Sequence, residues 1–354
     1  MKAKKKLHNI YEGKELKKKM SESAEKRTTI SFYKYAHILN PAELRDKLFL
    51  EWLELGVLGR VNLAKEGINA QISVPANQVE AFKQQLDSID FLKNVRMNFA
   101  VEDDGKSFFK LKIKVRDKIL ADGLNDETFD VTNVGKHLKA EEFNALTDKP
   151  DTILIDMRNH YESEVGHFEN AILPDADTFR DELNMVEEML KGKEEKNVVM
   201  YCTGGIRCEK ASAYFKHKGF INVHQLEGGI IKYARDVKAE GLKNKFKGKN
   251  FVFDERLGER ISDEIISRCH QCGNTSDRHT NCVNEGCHLL FIQCETCAAT
   301  FENCCSDDCR EFIHLPEEEQ KEKRKGVKKE RNVYRKGRGS RKDAEAQRSE
   351  TEAH

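Results

Sequence analysis

The stretch Val198–Lys210 reads Val-Val-Met-Tyr-Cys-Thr-Gly-Gly-Ile-Arg-Cys-Glu-Lys. A short apolar run ends in Cys202, a glycine-containing loop follows, and a helical pattern then carries Cys208, Ala211, Tyr214 and Phe215. That order predicts a buried strand feeding a helix through a tight loop. Several backbone N–H groups of such a loop converge on one atom, and the helix N-terminus adds partial positive charge. Cys202 at the mouth of that cradle is favoured as thiolate, the reactive form of cysteine. A strand-end cysteine is often a plain core thiol, but that role needs neither the glycines nor the fixed charge of Arg207. Thr203, Gly204, Gly205, Ile206 and Arg207 are therefore the expected active-site loop. Cys208, in the first helical turn, is open between a resolving thiol and a small helix residue.

A second set of residues points to metal. Cys269-x-x-Cys272, Cys282-x4-Cys287, Cys294-x-x-Cys297 and Cys304/Cys305-x3-Cys309 follow closely upon one another. Paired cysteines at this spacing suit tetrahedral zinc–thiolate coordination, and four pairs are enough for two structural zinc ions. Free thiols, disulfides or an iron–sulfur cluster are the alternatives, and the spacing leaves the pairing open. A closed metal site would stabilise a segment too polar to build its own core.

The elements that position these residues alternate regularly. Thr152–Asp156, the Val198–Cys202 run and Asn222–Leu226 read as strands, with helices expected at Lys139–Leu146 and Phe179–Leu190. This alternation predicts a parallel sheet with helices on both faces, and ligands bind at the carboxyl ends of such strands, where Cys202 falls. Asp156, Arg158 and Glu162 at another strand end are expected to form an ion-pair lattice that fixes loops. Upstream, Thr29–His37 reads as a strand, and Asn40-Pro41-Ala42-Glu43 starts a helix with an N-cap and a proline in the first turn. Strands at Val57–Ala64 and Gly67–Val74, a helix at Ala76–Ser88, and strands at Val95–Val101 and Phe108–Val115 complete a split β-α-β pattern. No catalytic constellation is visible there. Lys110, Lys112, Lys114 and Arg116 alternate with apolar residues, so all four lie on one face of a strand. That face is either an ordinary solvated or edge-protecting one or a phosphate-tracking stripe for RNA.

The 354 residues suffice for two or three domains, and the formal net charge is zero although 34% of residues are charged. The charge is unevenly placed: Met1–Arg27 and Lys321–Lys342 are rich in lysine and arginine. No apolar run is long enough to span a bilayer, and no signal-peptide pattern is present. A cytoplasmic protein without a membrane partner is expected. The 11 cysteines are then metal-bound, catalytic or reduced.

Asp-x-Arg-x-x-x-Glu-x-x-x-Gly-His at Asp156–His167, the Cys202–Arg207 loop and Leu-Glu-Gly-Gly at Leu226–Gly229 resemble a rhodanese domain. Val-Phe-Asp-Glu-Arg at Val252–Arg256 and the run from His279 to Cys294 narrow the resemblance to the bacterial rhodanese-family tRNA uridine hydroxylases. The resemblance implies a ferredoxin- or acylphosphatase-like βαββαβ domain at 29–116, a linker at 117–136, a rhodanese domain at 137–241 and a cysteine-rich zinc-binding region at 242–314. A basic arm at 1–28 is expected to be disordered or loosely helical, and a charged tail at 315–354 to be disordered. It further implies an oxidoreductase that converts the wobble uridine of the tRNA anticodon loop to 5-hydroxyuridine with O2 and an electron donor, Cys202 being the catalytic thiol or persulfide. No flavin or nicotinamide fingerprint is present to identify that donor. A sulfurtransferase carrying a persulfide on Cys202 and a zinc-stabilised RNA-binding protein are the alternative functions. The oligomeric state is left open.

Overall fold

The computed structural model of the protein describes residues 13–325. Its first domain begins after a helix α1 (Gly13–Glu22) with β1 (Arg27–Tyr35), α2 (Pro41–Glu54), β2 (Leu58–Ala64) and β3 (Gly67–Pro75). Helix α3 (Val79–Asp87), β4 (Asn98–Phe99) and β5 (Leu111–Val115) complete it. The Asn40 side chain accepts from the Glu43 N–H and Pro41 opens α2, so the sequence signal for a helix start is realised. The strands lie in the order β4-β1-β3-β2-β5. Along β1, Ile30 and Phe32 point into a core whose rings include Trp52 and Phe82. Period two therefore turns Thr29, Ser31 and Tyr33 to the opposite face, together with their cross-strand partners on β3, Ser73, Gln71 and Asn69.

The second domain runs β6 (Lys136–Leu138), α4 (Ala140–Thr147), β7 (Thr152–Asp156), α5 (His160–Ser163), β8 (Gly166–Phe168) and α6 (Phe179–Leu190). It continues with β9 (Asn197–Tyr201), α7 (Ile206–His217), β10 (Val223–Leu226) and α8 (Gly229–Glu240). Four of these strands form a parallel sheet in the order β6-β10-β9-β7. Central strand β9 is apolar on both sides because both are covered. Val198, Met200 and Cys202 pack toward α6 and α7, while Val199 and Tyr201 pack toward α4 and α8. The expected architecture, an acylphosphatase-like domain followed by a parallel-sheet domain and a cysteine-rich module, is the one observed.

The third region is built on β11 (Phe246–Asn250), which pairs with β8, and on β12 (Glu259–Arg260). Then come the hairpin β13 (His279–Asn281) and β14 (Leu290–Ile292), and three short helices, α9 (Glu295–Thr300), α10 (Asp307–Ile313) and α11 (Glu317–Arg324). Its apolar clusters are small, one of them made largely of cysteines.

The basic arm takes the helical of its two expected forms, and the expectations for the tail and the linker are revised. Residues 13–22 of the basic arm form α1, held by a Glu15–Lys19 pair one turn apart and by Lys17 over the Phe109 ring. Part of the charged tail likewise forms α11, with glutamates in its first turn and basic residues in its last, the arrangement the helix dipole favours. Residues 1–12 and 326–354, with most of the Lys321–Lys342 stretch, lie outside the described residues. The segment read as a linker is packed: Ile119 and Asp122 are buried. Asp122 and Glu66 of the first domain hold the buried Lys210 of α7 at 3.5 and 3.1 Å, so the connector helps lock the two domains together. No helix of the described residues is long and apolar enough to cross a membrane.

Candidate active site

Strand β9 delivers Cys202 to the carboxyl edge of the sheet, and the chain turns at once into α7. Gly205, at φ 101°, makes the turn possible, and its N–H reaches Cys202 Sγ at 3.1 Å. An added Cβ there would stand 2.9 Å from the Tyr33 hydroxyl of the first domain. Gly229 is under tighter restraint: at φ 67°, its Cβ would lie 2.5 Å from the Cys202 carbonyl oxygen. The thiol is buried. Burial alone would push its pKa up, but the Cys208 thiol, Arg207 and the Arg207 and Cys208 N–H groups outweigh burial and bring it down to about 6. Cys208 moves the other way, held protonated by its own burial and by the neighbouring thiolate. It therefore serves as donor to Cys202.

In place of one lattice of Asp156, Arg158 and Glu162, the structure holds two separate pairs, because the Glu162 carboxylate is taken by Arg207. Arg158 grips Asp156 through Nε at 2.8 Å and Nη2 at 2.6 Å, and also donates to the Gly166 carbonyl. The Glu162 carboxylate instead pairs with Arg207 at 2.6 and 2.8 Å and accepts from the Thr203 hydroxyl at 3.3 Å. Glu162 thus anchors both ends of the cysteine loop. Beneath it Glu182 of α6 is fully buried, with neither carboxyl oxygen hydrogen-bonded. Burial, opposed by Arg207, raises its pKa well above the usual range, so it keeps its proton.

The loop faces a cavity of about 480 Å³. Cys202, Thr203, Gly204, Ile206 and Arg207 line one side, and the outward face of the first domain's sheet, including Ser31, Tyr33, Gln71 and Asn98, lines the other. The sequence reading found nothing catalytic in that domain, yet it supplies half the chamber. Asn98 Nδ2 donates to the Gly204 carbonyl at 3.2 Å, and the Tyr33 hydroxyl donates to Glu209 at 3.0 Å. Glu209 also meets His137 and Gln225 at 3.0 Å each. Burial, then Glu209 and Cys202, keep Tyr33 a neutral phenol. A third wall comes from Val252, Phe253, Asp254 and Arg256. That stretch was visible in the sequence as a motif but carried no role. Arg256 there forks onto Asp254 and also pairs with Glu259.

Lys110, Lys112, Lys114 and Arg116 lie outside this chamber, on or beside edge strand β5. The cysteines gather into two groups of four, Cys269, Cys272, Cys294 and Cys297, and Cys282, Cys287, Cys305 and Cys309. Within each group the sulfurs lie within 4.8 Å of one another. Sulfur–sulfur separations of 3.6 Å for Cys272–Cys294 and Cys287–Cys305 and 3.7 Å for Cys305–Cys309 match the spacing of about 3.8 Å that a tetrahedron with ~2.3 Å zinc–sulfur bonds requires. Of the adjacent candidates Cys304 and Cys305, only Cys305 joins a group; Cys304 is buried outside both.

A parallel sheet with a cysteine-centred loop between a strand and a helix N-terminus defines a rhodanese-type domain. Residues 139–236 match the model of the rhodanese-like domain, 27–119 that of the UPF0176 acylphosphatase like domain, and 247–310 that of the rhodanase C-terminal region. A tRNA uridine(34) hydroxylase of Photorhabdus laumondii is 59% identical over 333 residues, 94% of this chain and 95% of the relative. Proteins of the same name from Leptospira interrogans (57%, covering 93% of this chain and 90% of the relative) and Salmonella arizonae (58%, 94% and 95%) are similarly close. The chain belongs to the tRNA uridine(34) hydroxylase family.

Proposed function

We propose that this protein is an enzyme that hydroxylates uridine 34 of tRNA, giving 5-hydroxyuridine, with Cys202 as the catalytic thiol. The observation that carries the reading is a stabilised cysteine thiolate facing a cavity of about 480 Å³ enclosed by the Cys202 loop, the first domain's sheet and the Val252–Arg256 stretch. That volume admits a nucleobase, and a base in a tRNA loop reaches such a chamber by leaving its stack. A cytoplasmic location follows from a tRNA substrate.

The loop chemistry suits nucleophilic catalysis. The Cys202 sulfur forms a bond to uracil C6 while the C5–C6 π pair moves onto C5 and O4. C5 then bonds to one oxygen atom derived from O2. The other oxygen leaves as water, at the expense of two electrons and two protons from a reductant. Loss of the C5 proton expels Cys202 and restores the double bond. Arg207, fixed by Glu162, and the loop N–H groups stabilise charge on the sulfur before attack and after release. A 5-fluorouridine substrate blocks that last proton loss and should trap a covalent Cys202–RNA adduct. Lack of an adduct, with a persulfide mass on Cys202, would instead assign the cysteine to the reductant.

Lys110, Lys112, Lys114 and Arg116 are proposed to track the tRNA backbone. The two cysteine groups are the proposed ligands of two structural zinc ions, whose binding energy would hold together a region with little apolar core. The deciding experiment is nucleoside mass spectrometry of tRNA from cells lacking the gene, complemented with wild type or Cys202→Ala. Restoration of 5-hydroxyuridine-derived nucleosides by wild type alone is expected. Unchanged levels in the deletion strain, with a thiolated nucleoside lost instead, would overturn hydroxylation in favour of sulfur transfer.

A further inference from the structure

A second cavity, of about 290 Å³, adjoins the Cys202 chamber, and Phe253 and Asp254 line both. Three parts of the chain meet around it: Lys17 of α1, Arg60 of β2, and Asn281 and His288 of the cysteine-rich region. Its floor is aromatic, with the Phe251 and Phe253 rings edge to face at 5.2 Å. The charges inside it are nearly all spoken for. Asp254 is neutralised by Arg256, and Glu255 by Lys17 at 2.7 Å. Arg60 is the exception. It is exposed, has no carboxylate partner among the described residues, and makes only a 3.5 Å contact with the Phe253 carbonyl.

The register of the first sheet places Arg60 on a continuous path. Asn98, Ser31, Gln71, Arg60 and Lys112 are successive cross-strand partners. Opposed residues share a face, so this row crosses the sheet over about 19 Å at ~4.8 Å per strand. It begins at the Cys202 loop, where Asn98 holds Gly204, and ends on the basic edge. Like charge is crowded at that end: Lys114 first, then burial, Arg60 and Arg116, lower the pKa of Lys112. A phosphate seated there relieves the repulsion.

We propose that this second cavity is a subsite for the nucleotide next to the target uridine, with its base against Phe253 and His288 and its phosphate on Arg60. The proposal rests on the tRNA-hydroxylase reading. A base that leaves the stack to reach Cys202 strips its neighbour of a stacking partner, and an aromatic-floored cavity one side chain away replaces it. The unpaired guanidinium supplies the backbone contact that fixes register.

The test uses the full-length protein and a tRNA that the wild type hydroxylates. Arg60→Ala should weaken tRNA binding about fivefold near 0.1 M salt and reduce the slope of log affinity against log salt by about 0.7, the loss of one single-strand phosphate contact. Arg60→Lys should restore the slope. The pH profile of Cys202 alkylation should not move, which shows that the catalytic loop is intact. 4-Thiouridine at position 33 or 35 should crosslink to the peptides carrying Phe253 or His288. Unchanged affinity and slope in Arg60→Ala, or crosslinks confined to other peptides, would overturn the subsite. A wild-type protein that neither binds nor hydroxylates tRNA would instead refute the proposed function, and the subsite with it.

Discussion

The sharpest prediction concerns Cys208. Its thiol is the strongest of the groups that lower the Cys202 pKa against the opposing effect of burial. A hydrogen bond to a charged acceptor contributes about 1.5–3 kcal/mol, and S–H is a weak donor, so the low end applies. At 1.36 kcal/mol per pKa unit the Cys208→Ala variant should carry Cys202 at about one unit above the wild-type value of about 6. At pH 6 the thiolate fraction then falls from about one half to about one tenth. The more basic thiolate is about threefold more nucleophilic, for a Brønsted coefficient of ~0.4–0.5, so the alkylation rate at pH 6 drops only about twofold. The midpoint of the pH profile, not the rate at one pH, is therefore the observable. It is read by mass spectrometry of the Cys202 peptide after timed iodoacetamide labelling of the metal-loaded protein. Cys208→Ser keeps a donor and should restore the midpoint. The thiolate is the reactive form, so turnover should rise through the same midpoint as pH increases. A midpoint still near 6 in Cys208→Ala would refute the reasoning and leave Arg207 and the loop amides as sufficient.

Glu162→Gln keeps the shape of the side chain but leaves Arg207 buried without its counter-charge; a loss of about 3–5 kcal/mol in urea unfolding is expected, and a loss below about 1 would show that the pair is not structural. Gly229→Ala drives a Cβ into the Cys202 carbonyl, so rapid low-pH alkylation of Cys202 should disappear; wild-type labelling would mean that the loop yields at little cost. Cys309→Ser should lower bound zinc from two equivalents to one by metal analysis, whereas Cys304→Ser should retain two. Equal losses in both variants would disprove the assignment of Cys305 and Cys309. If the two cysteine groups hold zinc as proposed, chelation should lower the melting temperature, because the metal's binding energy would then be part of the folding energy.

What was legible in the sequence was local. The Cys202 loop is contiguous, and its apolar run, glycines and arginine prescribe strand, turn and helix N-terminus without reference to any distant residue. The alternation of strand and helix around it prescribes a parallel sheet, and the short cysteine pairs prescribe metal-type chemistry. The central strand β9 and helices α2 and α6 form where periodicity and caps place them, because those signals act within a few residues. Partner choice was not legible, because it depends on which elements pack together. Glu162 pairs with Arg207, forty-five positions away, rather than with nearby Arg158, because the turn into α7 brings the guanidinium over the end of α5. The cysteine pairs interleave, 269/272 with 294/297 and 282/287 with 305/309, a choice made by the β13–β14 hairpin and not by spacing. Tyr33, Asn98 and Arg60 looked like ordinary strand residues. They become chamber and cavity walls only because the outward face of one sheet closes over the cysteine loop of another domain, with buried Lys210 tied to Glu66 and Asp122 at the join. The sequence by itself determined where the candidate thiol sits, at a strand end before a helix N-terminus, and the type of fold that carries it. The tertiary structure alone decided what stands opposite that thiol, because contacts between domains are fixed by complementary surfaces that no local pattern encodes.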